Sequence, residues 1–258
     1  MKSFVLITGA TSGIGLEFAK IYAKKKENLI LAARREEELK KIKEELEKYQ
    51  IEVKTHRADL SKPQEVKDFL GKIKDEDIKI LINNAGFGDF GEFVNSDAQK
   101  IEDMINLNIL ALTLLTRAIG EKMAKKGGGK IINVASTASF FPGAYMSLYY
   151  ATKAFVLSLS ESLYVELKPK GVHVMALCPG PTNTNFASAA NLGKSNLFKA
   201  FSRVKAKDVA EYGVWAAEHN KVVAVHGFGN KLLVSLGRIS PRTLNRRIVA
   251  KIQKTRKY

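Results

Sequence analysis

A single cysteine, Cys178, stands among 258 residues, which excludes an internal disulfide and fits a reducing compartment. Long apolar runs are also missing, since no stretch approaches the ~20 residues that a membrane helix needs. The N-terminal MKSFVLITGA imitates a signal peptide only faintly, because its apolar run is too short. A cytoplasmic protein is therefore expected. Zinc-finger spacing and RNA-recognition signatures are absent, and no metal-ligand set is read. Acidic residues run out as well: after Glu218 the chain carries no Asp or Glu, only Lys and Arg. The formal net charge is +16, which favours anionic partners such as phosphorylated cofactors, acyl carriers or anionic lipid. A basic surface alone gives only weak, salt-sensitive nucleic-acid binding, so no nucleic-acid partner is expected.

What is present reads as an ordinary globular chain, 45% hydrophobic and 26% charged, with room for one large α/β domain. Ser3–Thr8 is a buried-looking strand that runs into Gly9-Ala10-Thr11-Ser12-Gly13-Ile14-Gly15 and then a helical pattern. Strand, glycine turn and helix in that order make a phosphate cradle, with free N–H groups at the helix start facing a pyrophosphate. A second strand, Asn28–Ala33, ends where a dinucleotide fold meets the adenosine ribose. Here Ala33 takes the place of the acid that would bind an NAD 2′-hydroxyl, and Arg34 follows it. Arginine accommodates the 2′-phosphate of NADP(H), so NADP(H) is preferred, with NAD(H) as the alternative cofactor. Ser12 is placed to add a hydrogen bond to the same phosphate. The bland reading, that Arg34 and Arg35 only open an exposed charged helix, runs against the helix dipole.

Four further strands are expected near Glu52–Arg57, Lys79–Asn84, Lys130–Ala135 and His173–Leu177, separated by helical stretches. Repeated strand–helix units with buried strands imply a doubly wound parallel sheet with helices on both faces, the Rossmann type. Such sheets bind ligands beyond the carboxyl ends of their strands. Asp59, Asn84, Ala85 and Gly86 follow the third and fourth strands. Ser61 and Pro63 read as ordinary helix-start chemistry. Asn108 sits in an otherwise apolar helix, where an unpaired amide is costly. Ser136 follows the fifth strand, and Tyr149 and Lys153 lie at i and i+4, on one face of the next helix. A cation beside a phenol lowers its pKa from ~10, so Tyr149 is a candidate general acid or base. Tyr150, three residues from Lys153, competes for that role.

The turn Thr8-Gly-x-x-x-Gly13-x-Gly15, the Asn83-Asn-Ala-Gly86 segment, Ser136, Tyr149-x-x-x-Lys153 and Pro179-Gly180 occur in one order and spacing. In these the chain resembles the short-chain dehydrogenase/reductase superfamily, from Lys2 to about Val225, and its 3-ketoacyl and hydroxysteroid reductase-like branch. The resemblance selects Tyr149 over Tyr150. It implies that Tyr149 exchanges the proton, that Lys153 lowers its pKa and holds the nicotinamide ribose, and that Ser136 orients the substrate oxygen. It also implies that Asn108 supports a water-linked proton relay. Gly9, Gly13 and Gly15, with Ile14, would line the pyrophosphate. Asp59 would meet the adenine, and Asn84, Ala85 and Gly86 the cofactor ribose region. Pro179, Gly180 and Thr184 would complete the nicotinamide end, although Thr182 stands where an aliphatic residue is commoner.

One Rossmann-fold domain is thus expected over residues 1–258, with a substrate lid at 185–206 and a basic helix at 240–257. The lid offers Phe186, Leu192, Leu197, Phe198 and Phe201 to shut out water; its bland alternative is a packed surface helix. Phe140, Phe141 and Tyr145 add apolar wall. These point to a hydrophobic ketone, aldehyde or 3-ketoacyl substrate, reduced with NADPH or formed by the reverse alcohol oxidation. A non-catalytic NADP(H)-binding regulator is the rival reading, and it has no need of the Ser136/Tyr149/Lys153 set. In the tail, Leu244, Ile248 and Ile252 form a stripe backed by Arg242, Arg246, Arg247, Lys251 and Lys254. That helix either lies on an anionic membrane or packs on its own subunit with its basic face in water. The resemblance further implies a homodimer or homotetramer built through the helices near 101–126 and 149–168.

Overall fold

The computed structural model describes residues 2–183 and 204–253. Its strands are β1 (Ser3–Thr8), β2 (Asn28–Ala33), β3 (Val53–Arg57), β4 (Asp77–Asn83), β5 (Gly129–Val134), β6 (Val172–Cys178), β7 (Thr182–Asn183), β8 (Val204–Lys205) and β9 (Val223–Val225). Seven of them form one sheet in the order β3-β2-β1-β4-β5-β6-β9, while β7 and β8 pair separately. Every pairing in the large sheet is parallel. The order reverses beside β1, which lies between β2 and β4. Five of the six residues of β1 and of β2 are buried, because helices cover both faces of the sheet and the strands must be apolar throughout.

The helices, in chain order, are α1 (Gly13–Lys24), α2 (Glu36–Glu47), α3 (Pro63–Lys72), α4 (Ala98–Ile105), α5 (Leu112–Lys126), α6 (Ser147–Leu167), α7 (Ala206–Glu218), α8 (Phe228–Ile239) and α9 (Arg242–Gln253). One core unites Phe18 and Tyr22 of α1, Leu39 and Leu46 of α2, and Val209 and Val214 of α7 against the sheet. The opposite core takes Val66 and Phe69 of α3 and Leu115, Ile119 and Met123 of α5. Local chemistry sets the helix ends. Glu36, Glu37 and Glu38 occupy the first turn of α2, where the dipole favours acids. Gly127 ends α5 with a φ of 84°, a left-handed stop that glycine adopts at little cost.

Two features depart from the expected layout. A seventh strand, β9, extends the sheet, and its three residues are too few for a pattern to show. Between α4 and α5 the helix loosens into a π-helical turn, Asn106–Ala111, which re-aims Asn108. The tail helix packs on its own chain with its basic residues exposed, one of the two expected arrangements, but not through the expected stripe. Leu244, Ile248 and Ile252 remain 48%, 45% and 40% exposed, while α9 meets the body through Asn245, Val249 and Gln253. The stripe is not the packing face.

Candidate active site at the carboxyl ends of the strands

Between β1 and α1 the chain turns through Gly9, with a φ of 65°, and Gly13, with a φ of 55°, a region that residues with a Cβ rarely enter. A Cβ on Gly15 would strike the Gly9 carbonyl oxygen and the Asn84 amide. Ser12 precedes α1 without a side-chain cap bond, and no acid occupies the first turn. The first N–H groups of α1, Ile14 among them, thus face the loop without a capping side chain. This cradle fits a pyrophosphate, the group that glycine turns of this kind receive.

At the end of β2, Arg34 is exposed; after Lys62, it is among the groups that hold the Asp103 carboxyl below its usual range. Arg35 is committed elsewhere: it donates to Thr11 Oγ1 at 3.1 Å and pairs with Glu38 at 2.7 Å. Of the two cations at this strand end, Arg34 is the less committed. Past β3, Asp59 Oδ1 accepts from the backbone N–H and the hydroxyl of Ser61 at 3.1 and 2.8 Å. Its own N–H donates to Glu65 Oε2 at 2.8 Å. Ser61 is thus held by Asp59 rather than capping α3 itself.

Asn83, which ends β4, and Asn84, which follows it, turn in opposite directions. Asn84 Nδ2 donates to the carbonyls of Thr8 and Gly9 at 3.0 and 3.2 Å. In return, Thr8 Oγ1 accepts from the N–H groups of Asn84 and Ala85, both at 3.0 Å. Asn83 faces inward, donating to Asn133 Oδ1 and Thr116 Oγ1, both at 2.9 Å. Asn133 Nδ2 passes the chain on to Ser160 Oγ at 3.0 Å. Thr8 opens the glycine-turn motif in the sequence, but its bonds to Asn84 and Ala85 were not read there, and Asn133 was not singled out. The available signal was a polar residue closing an apolar strand.

β5 delivers Ser136, whose Oγ accepts from the Ala138 N–H at 3.1 Å and lies beside the Tyr149 side chain. Burial raises the Tyr149 pKa, and the Ser136 hydroxyl pulls it the other way. Lys153 is buried, its Nζ 2.8 Å from the Val134 carbonyl and 5.8 Å from the Tyr149 ring centroid. Burial lowers its pKa to about 8. The expected depression of Tyr149 by Lys153 is not seen: burial raises the Tyr149 pKa, and the side chain that opposes the rise is Ser136. Tyr150 points inward, and its hydroxyl accepts from Gln253 Nε2 at 2.5 Å. Burial pushes it up to about 12. No sequence signal links Gln253 to this site. Cys178, buried and also pushed up to about 12 by burial, stays a protonated thiol.

Asn108 is fully paired: Oδ1 accepts from the Phe87 N–H at 3.1 Å, while Nδ2 donates to the Phe87 carbonyl at 2.9 Å and to Thr152 Oγ1 at 3.1 Å. Gly86 lies between the two polar ends, since a Cβ there would sit 3.0 Å from Asn108 Oδ1 and 3.4 Å from Lys153 Nζ. Pro179 O accepts from the Thr137 N–H at 2.9 Å, and Gly180 lies against Asn230 at the start of α8. On the open side, Phe141, Tyr149 and Val249 pack around Ala138, Met146 and Tyr150, and Phe90 lies 6.2 Å from Tyr145. Gly237 of α8 abuts the Phe141 ring. Thr184 and Phe186 lie outside the described residues, as do Leu192, Leu197, Phe198 and Phe201 of the expected lid.

The family model described as "short chain dehydrogenase" matches residues 3–195. A hydroxysteroid dehydrogenase-like protein 1 of Gallus gallus is 32% identical over 201 residues, covering 76% of this chain and 60% of that protein. A very-long-chain 3-oxoacyl-CoA reductase of Anas platyrhynchos is 33% identical over 185 residues, covering 69% of this chain and 59% of that one. The chain thus spans about three fifths of the length of these curated relatives. Among solved structures, a short-chain dehydrogenase from Sphingobium yanoikuyae in complex with NADPH superposes with a TM-score of 0.83 at 32% identity. It covers 92% of this chain and 94% of its own.

Proposed function

Since the chain belongs to the short-chain dehydrogenase/reductase family, NAD(P)-dependent oxidoreductases of alcohol and carbonyl groups, we propose that it uses NADPH to reduce the carbonyl of a hydrophobic ketone, aldehyde or 3-ketoacyl substrate, or catalyses the reverse oxidation. What supports this is the Ser136 hydroxyl lying beside the buried Tyr149 phenol and opposing the rise that burial causes in its pKa, with Lys153 buried one helical turn further on. That arrangement holds a phenol and a hydroxyl together where a carbonyl oxygen can meet both.

The glycine turn, with Gly9, Ser12, Gly13, Ile14 and Gly15, would hold the pyrophosphate, and Arg34 the 2′-phosphate. Asp59 would lie at the adenine end, with Asn84, Ala85, Gly86, Pro179, Gly180 and Thr184 towards the nicotinamide. When bound, the dinucleotide supplies the hydride. The residues of the chain do the rest. Ser136 donates to the substrate oxygen and fixes its position. Tyr149, kept protonated at neutral pH by burial, gives its proton to that oxygen as the alcohol forms. Lys153, charged below about pH 8, stabilises the phenolate that remains, and Asn108 anchors the Phe87 backbone beside it. The Phe141 and Tyr145 rings form an apolar wall for the rest of the substrate. The proposed assembly is a dimer or tetramer through α5 and α6, the latter exposing Phe155 and Val165.

The test is nicotinamide absorbance decay with NADPH across hydrophobic ketones, aldehydes and 3-ketoacyl thioesters. Turnover is expected, and Tyr149→Phe should lower it by roughly 10²–10⁴-fold, the range for general acid–base groups. Tight NADPH binding without turnover across the panel would overturn the reductase reading in favour of a cofactor-binding regulator.

A further inference from the structure

We propose that α8 and α9 form a docking surface for an anionic lipid bilayer. Phe228, Leu232, Leu233, Leu236 and Ile239 all stand exposed on α8, Phe228 and Ile239 at 83% and 82%. Their spacing places them on one side of that helix. The other side is used internally, with Val234 buried and Gly237 against Phe141. α9 repeats the arrangement, exposing Leu244, Ile248 and Ile252 next to the face that carries Asn245 and Gln253 inward. Apolar side chains gathered this densely on consecutive helices mark an interaction surface.

The charge around them selects the occupant. Lys231, Arg242, Arg246, Arg247 and Lys251 are all exposed on the same two helices, and no acid follows Glu218. A second copy docked on this face about a two-fold axis would bring like charges together, because such interfaces bury the same patch on both partners. An anionic bilayer answers both features, with headgroups for the basic side chains and acyl chains for the apolar ones. Each helix has 12 residues, roughly 18 Å of length. That is too short to cross a bilayer, so the pair lies in its surface.

The same helices wall the candidate active site. Val249 packs with Met146 and Tyr150, Gln253 donates to Tyr150, and the Arg238 guanidinium lies 5.2 Å from the Phe140 ring centroid. A bilayer on this surface would therefore present lipid-soluble substrate beside the site. That delivery rests on the proposed reductase chemistry; the docking surface does not.

Flotation of the full chain with vesicles separates the two. Vesicles of phosphatidylcholine containing phosphatidylserine are expected to carry the protein up the gradient, less so as salt rises, and phosphatidylcholine alone far less. Arg247→Gln with Lys251→Gln should weaken the partition about five-fold per charge. Leu232→Ser with Leu236→Ser should weaken it roughly ten-fold or more for each leucine. Turnover of a water-soluble ketone should be unchanged in both variants. No flotation with either vesicle overturns the proposal, as does flotation undiminished in the variants. So does a halved mass in solution for the leucine variant with its flotation intact, which would make this a face between copies. A chain that floats but reduces nothing leaves the surface standing and removes the chemistry.

Discussion

At the end of β2 the side chain of Arg34 stands exposed, while Arg35 is tied to Thr11 and Glu38. Arg34→Ala should raise the KM for NADPH by roughly ten- to a hundred-fold, the worth of a charge-assisted hydrogen bond, and leave NADH nearly unaffected. An unchanged ratio of the two KM values would remove Arg34 from the 2′-phosphate. Lys153 sets a pH limit. Burial holds its pKa near 8, so its ammonium is present at neutral pH and lost as pH rises through that value. The proposed reduction also needs Tyr149 protonated, hence kcat for reduction should be flat through neutral pH and decline above about 8. A profile rising through that range would show that the Lys153 charge is not used. Gly15→Ala drives a methyl into the Gly9 carbonyl and should cost about 1–3 kcal/mol, read as a lower thermal midpoint. The identity of these positions was legible because glycines, a Tyr/Lys pair and a strand-end serine stand at fixed spacing. The ionisation of Lys153 was not, since desolvation comes from elements far away in sequence.

Among the elements, β4, β5, α5 and α6 are joined by the buried relay from Thr116 through Asn83 and Asn133 to Ser160. Asn133→Leu removes the acceptor for Asn83 and the donor to Ser160. It should destabilise the chain by about 1–3 kcal/mol, seen as a lower urea midpoint with an unchanged slope. Equal stability would mean that the relay contributes nothing net. The strands β1 and β2 were readable to the residue because burial on both faces leaves uninterrupted apolar runs. The tail was readable only as two alternatives. Its periodic leucine and isoleucine positions gave the amphipathic stripe, but periodicity does not say which face meets the body. Asn245 and Gln253 turned inward because the carbonyl of Gly237 and the hydroxyl of Tyr150 offered them partners.

For the molecule as a whole, the proposed association through α5 and α6 has a direct check. Val165, 68% exposed on α6 and remote from Lys153, is expected to tolerate arginine when monomeric. Val165→Arg should therefore halve the mass seen by light scattering without loss of helix signal. A mass equal to that of the unaltered protein would place the contact elsewhere. The sheet order was open to sequence reasoning only as a class, because strand runs do not encode neighbours. That order carries a further consequence during synthesis. β1 lies centrally, and its two flanks are completed at different times: Phe4 pairs with Asn28 on one side and with Ile78 on the other. At ~5–20 residues per second, a ribosome needs roughly 3–10 s between supplying the first flank and the second. Through that interval the nascent chain carries an open edge of Val5, Leu6 and Ile7, which makes the first quarter of the polypeptide a natural client for a chaperone at the exit tunnel.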